Sequence, residues 1–409
     1  MNDENVLTLA SEAGRIMLEN GAEISRVEET MDRISGHYGI TARNFFVLSN
    51  GIFTTGKAYA NAEFIPIKGC QLEKVVEVNQ LSRDICEGKC ESVDEAKARL
   101  CAIRSRAPKP AWEQILGSAL GSGGFCAIFG GGLADCGVSF VVGALLYLFV
   151  LFVSAPHMSK ILGNILGGAV ASALCILFYS VGLGDSLANI IIGAIIPLIP
   201  GVQFTNGIRD VANEDYIAGA TRLMDAVMVF FCIALGVMLT FALHSLLPGG
   251  MIELHGTVTD GITATFALQM VAAFVGTAAF AVLFGVPRRH YAATGLVGMI
   301  GWAVYLLVVR HSALGGIGGT FFATIVVFVV SRLMAVVRKT PLTVFLICGI
   351  FPLIPGAGVF WTAYYIVSTQ GMLARGAGIA AIQVAVAIVL GIVVADSFHY
   401  DWMGRILKK

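Results

Sequence analysis

Two patterns of apolar residues divide the chain. Up to about residue 110 they recur at intervals of three and four among charges, and beyond it they run together in long stretches. In the first part Val6, Leu7, Ala10, Ile16 and Met17, then Ile24, Val27, Met31 and Ile34, predict two amphipathic helices broken near Asn20-Gly21. Phe45–Leu48 and Gly51–Thr55 read as strands joined at Ser49-Asn50-Gly51, and Phe64-Ile65-Pro66-Ile67 reads as a third. Leu72, Val75, Val76 and Val78 to Leu81, then Ala96 to Ile103, return to helical spacing. The expectation is a small α/β domain over residues 1–110, ending at the basic, proline-marked stretch Arg104 to Pro110.

Ten apolar segments follow, at about 114–133, 137–155, 161–182, 187–206, 223–247, 264–286, 291–309, 317–337, 342–366 and 377–396. A helix needs about 20 residues to cross a hydrocarbon core of about 30 Å. The pattern therefore predicts a polytopic all-α membrane domain with ten transmembrane helices. Composition points the same way: 13% of residues are charged, against about 25% in a soluble protein. The 48 glycines suit helices that approach closely. A formal net charge of zero offers no basic surface to nucleic acid. Nine cysteines without a CxxC pair read as reduced or membrane-buried thiols. The acidic start has no apolar core before residue 20, so no cleavable signal peptide is expected.

One pentapeptide occurs twice, as Pro197-Leu198-Ile199-Pro200-Gly201 and, 155 residues later, as Pro352-Leu353-Ile354-Pro355-Gly356. At the same offset Gly121 matches Gly276, Phe125 matches Phe280, Gly143 matches Gly298, and Leu235-Gly236 matches Leu390-Gly391. This register predicts two homologous five-helix units, 111–250 and 251–409. Five being odd, the second unit should lie inverted in the membrane. With the N-terminus inside, the inner loops and tail hold Lys160, Arg209, Arg222, Arg288, Arg289, Arg332, Arg338, Lys339, Arg405, Lys408 and Lys409. The outer loops hold Arg310 and Arg375. That bias places both termini in the cytoplasm.

Proline inside an apolar helix removes a donor and clashes with the preceding turn. The carbonyls expected to be freed belong to Gly193, Ile196, Cys348 and Phe351. Paired broken helices are a sequence pointer to a transporter's binding site. The candidate substrate site is Pro197, Pro200, Gly201, Gln203, Asn206, Arg209 and Asp210, with Pro352, Pro355 and Gly356. Arg209 offers a planar fork for a carboxylate, and Asp210 could neutralise it or accept an amine. The plainer reading is a solvated helix end with an ion pair worth little. Asp225, three residues after Arg222 and able to pair with it, is the proton-coupling candidate; a structural ion pair is the alternative. The glycines from Gly117 to Gly132, and Gly163 with Gly167, suit helix contacts better than phosphate loops. Seven isolated histidines, Cys86-x3-Cys90, and the lack of HExxH or GxSxG motifs predict no metal site, no cofactor and no enzyme.

The chain resembles the threonine/serine exporter (ThrE-like) family over nearly its full length. The resemblance rests on Asn20-Gly21-Ala22-Glu23-Ile24-Ser25-Arg26-Val27-Glu28-Glu29-Thr30 with Tyr38-Gly39. It continues in Pro197 to Gly201, Asn206-Gly207-Ile208-Arg209-Asp210, Asp215, Gly219 and Arg222. It implies export of small amino acids across the cytoplasmic (inner) membrane, driven by the proton gradient. The partners implied are a small-molecule substrate, protons and the lipid bilayer, with a homo-oligomer left open. Split relatives are associated with dicarboxylate export, so a succinate-like substrate is one alternative and a gated channel another. A hydrolase-like N-terminal domain, as suggested for the family, would need a nucleophile–base pair that is not evident here.

Overall fold

A computed structural model describes residues 3–40, 44–56, 60–66, 69–90, 92–246, 254 and 266–398. Ile67, the boundary drawn between residues 250 and 251, His255, His399 and the basic tail Arg405, Lys408 and Lys409 lie outside the described residues.

The N-terminal region is built from helices α1 (Asp3–Glu19), α2 (Ile24–His37), α3 (Leu72–Cys86) and α4 (Val93–Ser105), with strands β1 (Phe45–Leu48), β2 (Gly51–Thr55) and β3 (Ala60–Phe64). The strands form an antiparallel sheet in the order β1-β2-β3. β3 precedes the run expected from sequence: Phe64 ends it, and Ile65 is buried beyond its end. Leu9, Met17, Val27, Met31, Val75 and Leu81 share one buried core with Val47 and Ile52. The break between α1 and α2 falls at Asn20-Gly21, where Gly21 takes φ +89°, a value glycine adopts at no steric cost.

The remainder is helical: α5 (Ala111–Ile128), α6 (Leu133–Phe149), which runs through a wider turn at Val150–Ser154 into α7 (Ala155–His157), α8 (Lys160–Ser180), α9 (Leu187–Ile195), α10 (Gly201–Ala212) and α11 (Tyr216–Ser245). Then come α12 (Phe266–Leu283), α13 (Tyr291–His311), α14 (Gly315–Arg338), α15 (Leu342–Ile350), α16 (Gly356–Val367) and α17 (Gly371–Ser397). Among the described residues seven helices are long and apolar enough to cross a membrane, or nine if each bent pair is one span. The chain is a polytopic membrane protein in its make-up. The first expected segment, α5, is not among those nine; Glu113, Gln114 and its small residues dilute its apolar character.

Helices α9 and α15 have the same length and begin 155 residues apart, as do α10 and α16; α5 and α12 also coincide at that offset. Contacts between the halves are reciprocal. A Cβ on Gly121 would meet the Phe280 ring at 2.6 Å, and one on Gly276 would meet the Phe125 ring at 3.1 Å. Phe125 and Phe280 themselves sit edge to face at 5.3 Å. Such reciprocity is what a two-fold relation produces at an interface. Small residues make it possible by letting backbones approach. The same device joins α8 to α11, where a Cβ on Gly236 would run into the Ile165 carbonyl, and α14 to α17 at Gly391.

Gly236→Ala therefore forces the α8 and α11 backbones apart. It should destabilise the protein by about 1–3 kcal/mol, the usual range for overpacking. A lower thermal midpoint in detergent is the expected reading, while Gly371→Ala, with nothing within 4 Å of its Cβ position, should melt like the parent.

Candidate functional site

The two proline motifs bend their helices in the same way. After α9 the chain makes one tighter turn at Ile196–Leu198, becomes extended at Ile199 (ψ 131°) and restarts as α10 at Gly201, with an angle of 64° between the two arms. After α15 it turns at Phe351–Leu353, extends at Ile354 (ψ 134°) and restarts as α16 at Gly356, with an angle of 40°. The carbonyls expected to be free are not. The Ile196 N–H donates to Gly193 and the Ile199 N–H to Ile196; the Phe351 N–H donates to Cys348 and the Ile354 N–H to Phe351. Tightening to i→i+3 bonds satisfies the backbone that proline would otherwise orphan.

The motifs meet each other. A Cβ on Gly201 would lie 3.3 Å from the Ile354 side chain and 2.5 Å from the Phe351 ring, and a Cβ on Gly356 would collide with Ile199. Phe351 stacks on Phe280 at 4.0 Å and contacts Phe125 and Phe284 edge to face. The crossing itself is a plug of aromatic and aliphatic side chains.

A cavity of about 620 Å³ opens on one side of this plug. Its wall includes Pro352 to Pro355, Ala357, Gly358 and Trp361 of the second broken helix, Ser186, Asn189 and Ile192 around α9, and Gln269, Trp302, Tyr305 and Thr320. Trp302 Nε1 donates to Gln269 Oε1 at 3.3 Å, and the Trp302 and Tyr305 rings stack at 4.7 Å. No lining side chain among the described residues is a carboxylate, an ammonium or a guanidinium. Nor do three or more His, Cys, Asp or Glu gather anywhere among them as a metal site would require. Of the residues singled out from sequence, Pro352 and Pro355 line this cavity; Pro197, Pro200, Gly201, Gln203 and Gly356 do not.

Asn206, Arg209 and Asp210 lie elsewhere, under the N-terminal region. Asn206 Nδ2 donates to the Gly21 carbonyl at 2.7 Å, and Arg209 forms an ion pair with Glu23. Asp210 accepts from the Ile24 N–H at 3.2 Å and from Arg222 Nη1 at 2.7 Å, while Arg222 Nη2 donates to the Ala22 carbonyl at 2.9 Å. All four side chains are buried. Asp210 thus pairs with Arg222, not with its neighbour Arg209. Arg222 in turn does not pair with Asp225, which is bound by Lys160 at 2.5 Å in an exposed surface pair. The Asp225 side chain is 39% exposed on the protein surface and is not enclosed by neighbouring helices. A further pair, Arg332 with Asp396, sits near enough for Asp396 to act on Arg209.

Sequence reading missed Gln269, Trp302 and Tyr305, which stand within apolar runs and differ from their neighbours in carrying hydrogen-bonding groups. It also missed that the Asn20 to Ser25 and Asn206 to Asp210 motifs touch. Long-range pairing of two polar motifs leaves no trace in local periodicity.

A family model described as "Putative threonine/serine exporter" matches residues 8–244, and one described as "Threonine/Serine exporter, ThrE" matches residues 269–398. A "Threonine/serine exporter" of Corynebacterium glutamicum is 23% identical over 99% of this chain and 83% of its own length. A "Probable threonine/serine exporter" of Mycobacterium tuberculosis is 22% identical over 99% of this chain and 79% of its own. A "Pheromone-regulated membrane protein 10" of Candida albicans is 22% identical over 76% of this chain, which spans 27% of that protein. No solved structure matches the chain.

Breaking the buried pair by Asp210→Ala leaves Arg222 without its carboxylate, a loss worth about 3–5 kcal/mol for a buried charge. A marked fall in thermal midpoint is expected. Asp225→Asn should shift stability by less than about 1 kcal/mol and leave transport intact; abolished transport in that variant would restore Asp225 as a proton carrier.

Proposed function

The chain belongs to the threonine/serine exporter family, and from that premise we propose that it is a secondary-active, proton-coupled exporter of small amino acids of the threonine/serine type. The observation that carries this reading is the cavity beside the break of the second helix. A broken helix brings the partial negative end of one arm and the partial positive end of the next within a few residues. That pair of ends complements an ammonium and a carboxylate on one small molecule. The uncharged wall adds to this: a dicarboxylate buried there would meet no cation, and burying an unpaired charge is costly. Gln269, Asn189 and Tyr305 supply polar contacts, and the stacked Trp302 a face for a short side chain.

In the same reading the two five-helix units are inverted repeats in the cytoplasmic membrane, with residues 1–110 a cytosolic domain. The reciprocal glycine and phenylalanine contacts and the loop charges support it. The N-terminal region touches the ends of α10 and α12, which are the basic, inner ends by charge. Gln269 of the cavity and Phe284 at the N-terminal contact are roughly 22 Å apart along one helix at 1.5 Å per residue. Substrate would therefore pass from the Asn206–Arg209–Asp210 cluster inside to the cavity facing outward.

Counterflow in proteoliposomes tests this. Labelled threonine should exchange against internal threonine or serine, and poorly against succinate. Trp302→Ala should cut the exchange rate by roughly tenfold, the effect of about 1.4 kcal/mol. Absence of threonine and serine exchange alongside rapid succinate exchange would overturn the substrate assignment.

A further inference from the structure

The segment Gly21–Ile24 presents the inner cluster with a carboxylate, two carbonyls and one N–H. Arg209, Arg222 and Asn206 donate to it or neutralise it, and Asp210 accepts from it. These are the groups that would take the carboxylate and ammonium of an amino acid. The fit with the protein's own segment is incomplete. Thr205 Oγ1, Asn206 Oδ1 and Arg209 Nε are buried without a hydrogen-bond partner, while Glu23 Oε2 is held by Arg209 as an ion pair. A contact built only for stability would not leave three such groups unpaired, since each unsatisfied buried group is costly.

The anchoring of the N-terminal region adds a second observation. Its other main contact is backbone to backbone: the Leu72 and Glu73 N–H groups donate to the Phe284 and Gly285 carbonyls at 3.0 and 2.7 Å. Gly285 has φ +61°, and a Cβ there would lie 2.9 Å from Gln71 Cα, so this joint is close-fitted. It ties the N-terminal region to α12, in the second half. The Gly21–Ile24 contact ties it to α10 and α11, in the first. Movement of one half against the other strains both joints, and the polar one, with buried groups left unpaired, is the one for which an incoming ligand can compete.

We propose that Gly21–Ile24 is a releasable inner gate, in which Glu23 holds Arg209 until the carboxylate of an incoming amino acid takes its place. The proposal rests on the exporter reading for its substrate, but not for the gate itself.

Cys70 is a native reporter. Its thiol lies 3.4 Å from the Gly21 Cβ position and donates to the Phe284 carbonyl at 3.5 Å. It is partly exposed at the surface of the joint, and desolvation raises its pKa to about 12, so it should react slowly with alkylating agents while the gate is shut. The full chain in proteoliposomes is treated with N-ethylmaleimide and Cys70 labelling is quantified by peptide mass spectrometry, with exposed Cys101 as the standard. Wild type should label at Cys70 at least tenfold more slowly than at Cys101. Glu23→Gln should accelerate Cys70 by fivefold or more. Millimolar L-threonine should accelerate it several-fold in wild type and threoninamide should not, a comparison that needs no variant to fold. If neither Glu23→Gln nor threonine changes the rate while the same vesicles exchange threonine, the gate is overturned and the exporter stands. If Glu23→Gln accelerates labelling but threonine neither exchanges nor labels, the gate stands and the substrate is overturned.

Discussion

Proline cannot donate a backbone hydrogen bond, and hydrocarbon offers none to replace it. Both sit at the centre of this molecule. Two prolines three residues apart stop an α-helix twice over, and the chain responds by winding tighter for one turn, extending for a residue and starting again at a glycine. Each restarted arm packs chiefly on its own half, α10 on α11 and α16 on α17, and also reaches the other: α10 touches α15 and α17, and α16 touches α11 and α9. The glycine at each restart is where the two breaks press together, Gly201 on Phe351 and Ile354, Gly356 on Ile199. A side chain at either position would hold the halves apart.

The halves are alike in backbone and unlike in chemistry. Around the second break are an uncharged cavity and the aromatics Phe360, Trp361 and Tyr364. Beyond the first, α10 carries Asn206, Arg209 and Asp210, a sequence of polar groups that a membrane interior could not host alone. They are tolerated because the N-terminal region covers them and supplies most of their partners. Buried ion pairs seldom add net stability once desolvation is counted.

Much of the architecture was legible in the chain. Amphipathic spacing gave α1 and α2 with their break at Asn20-Gly21, because a surface helix must alternate faces. The constant offset of 155 recurs in the starts of α9 and α15 and of α10 and α16, while several expected span boundaries fell a few residues from the helix ends. Two things were not legible. The partners of Asp210 and Arg222 come from 186 and 200 residues away, beyond any helical rule. And the freed carbonyls were counted as though the helix stayed α up to each proline, when a change of winding re-bonds them.

The crossing of the two breaks also sets an order on biosynthesis. Gly201 seats against Phe351 and Ile354, residues that a ribosome adds some 150 positions later. Until then α10 has an apolar side with no counterpart, and the first half is an unfinished object waiting in the bilayer. Its maturation depends on the arrival of the second half, so a truncated product would not be half a transporter.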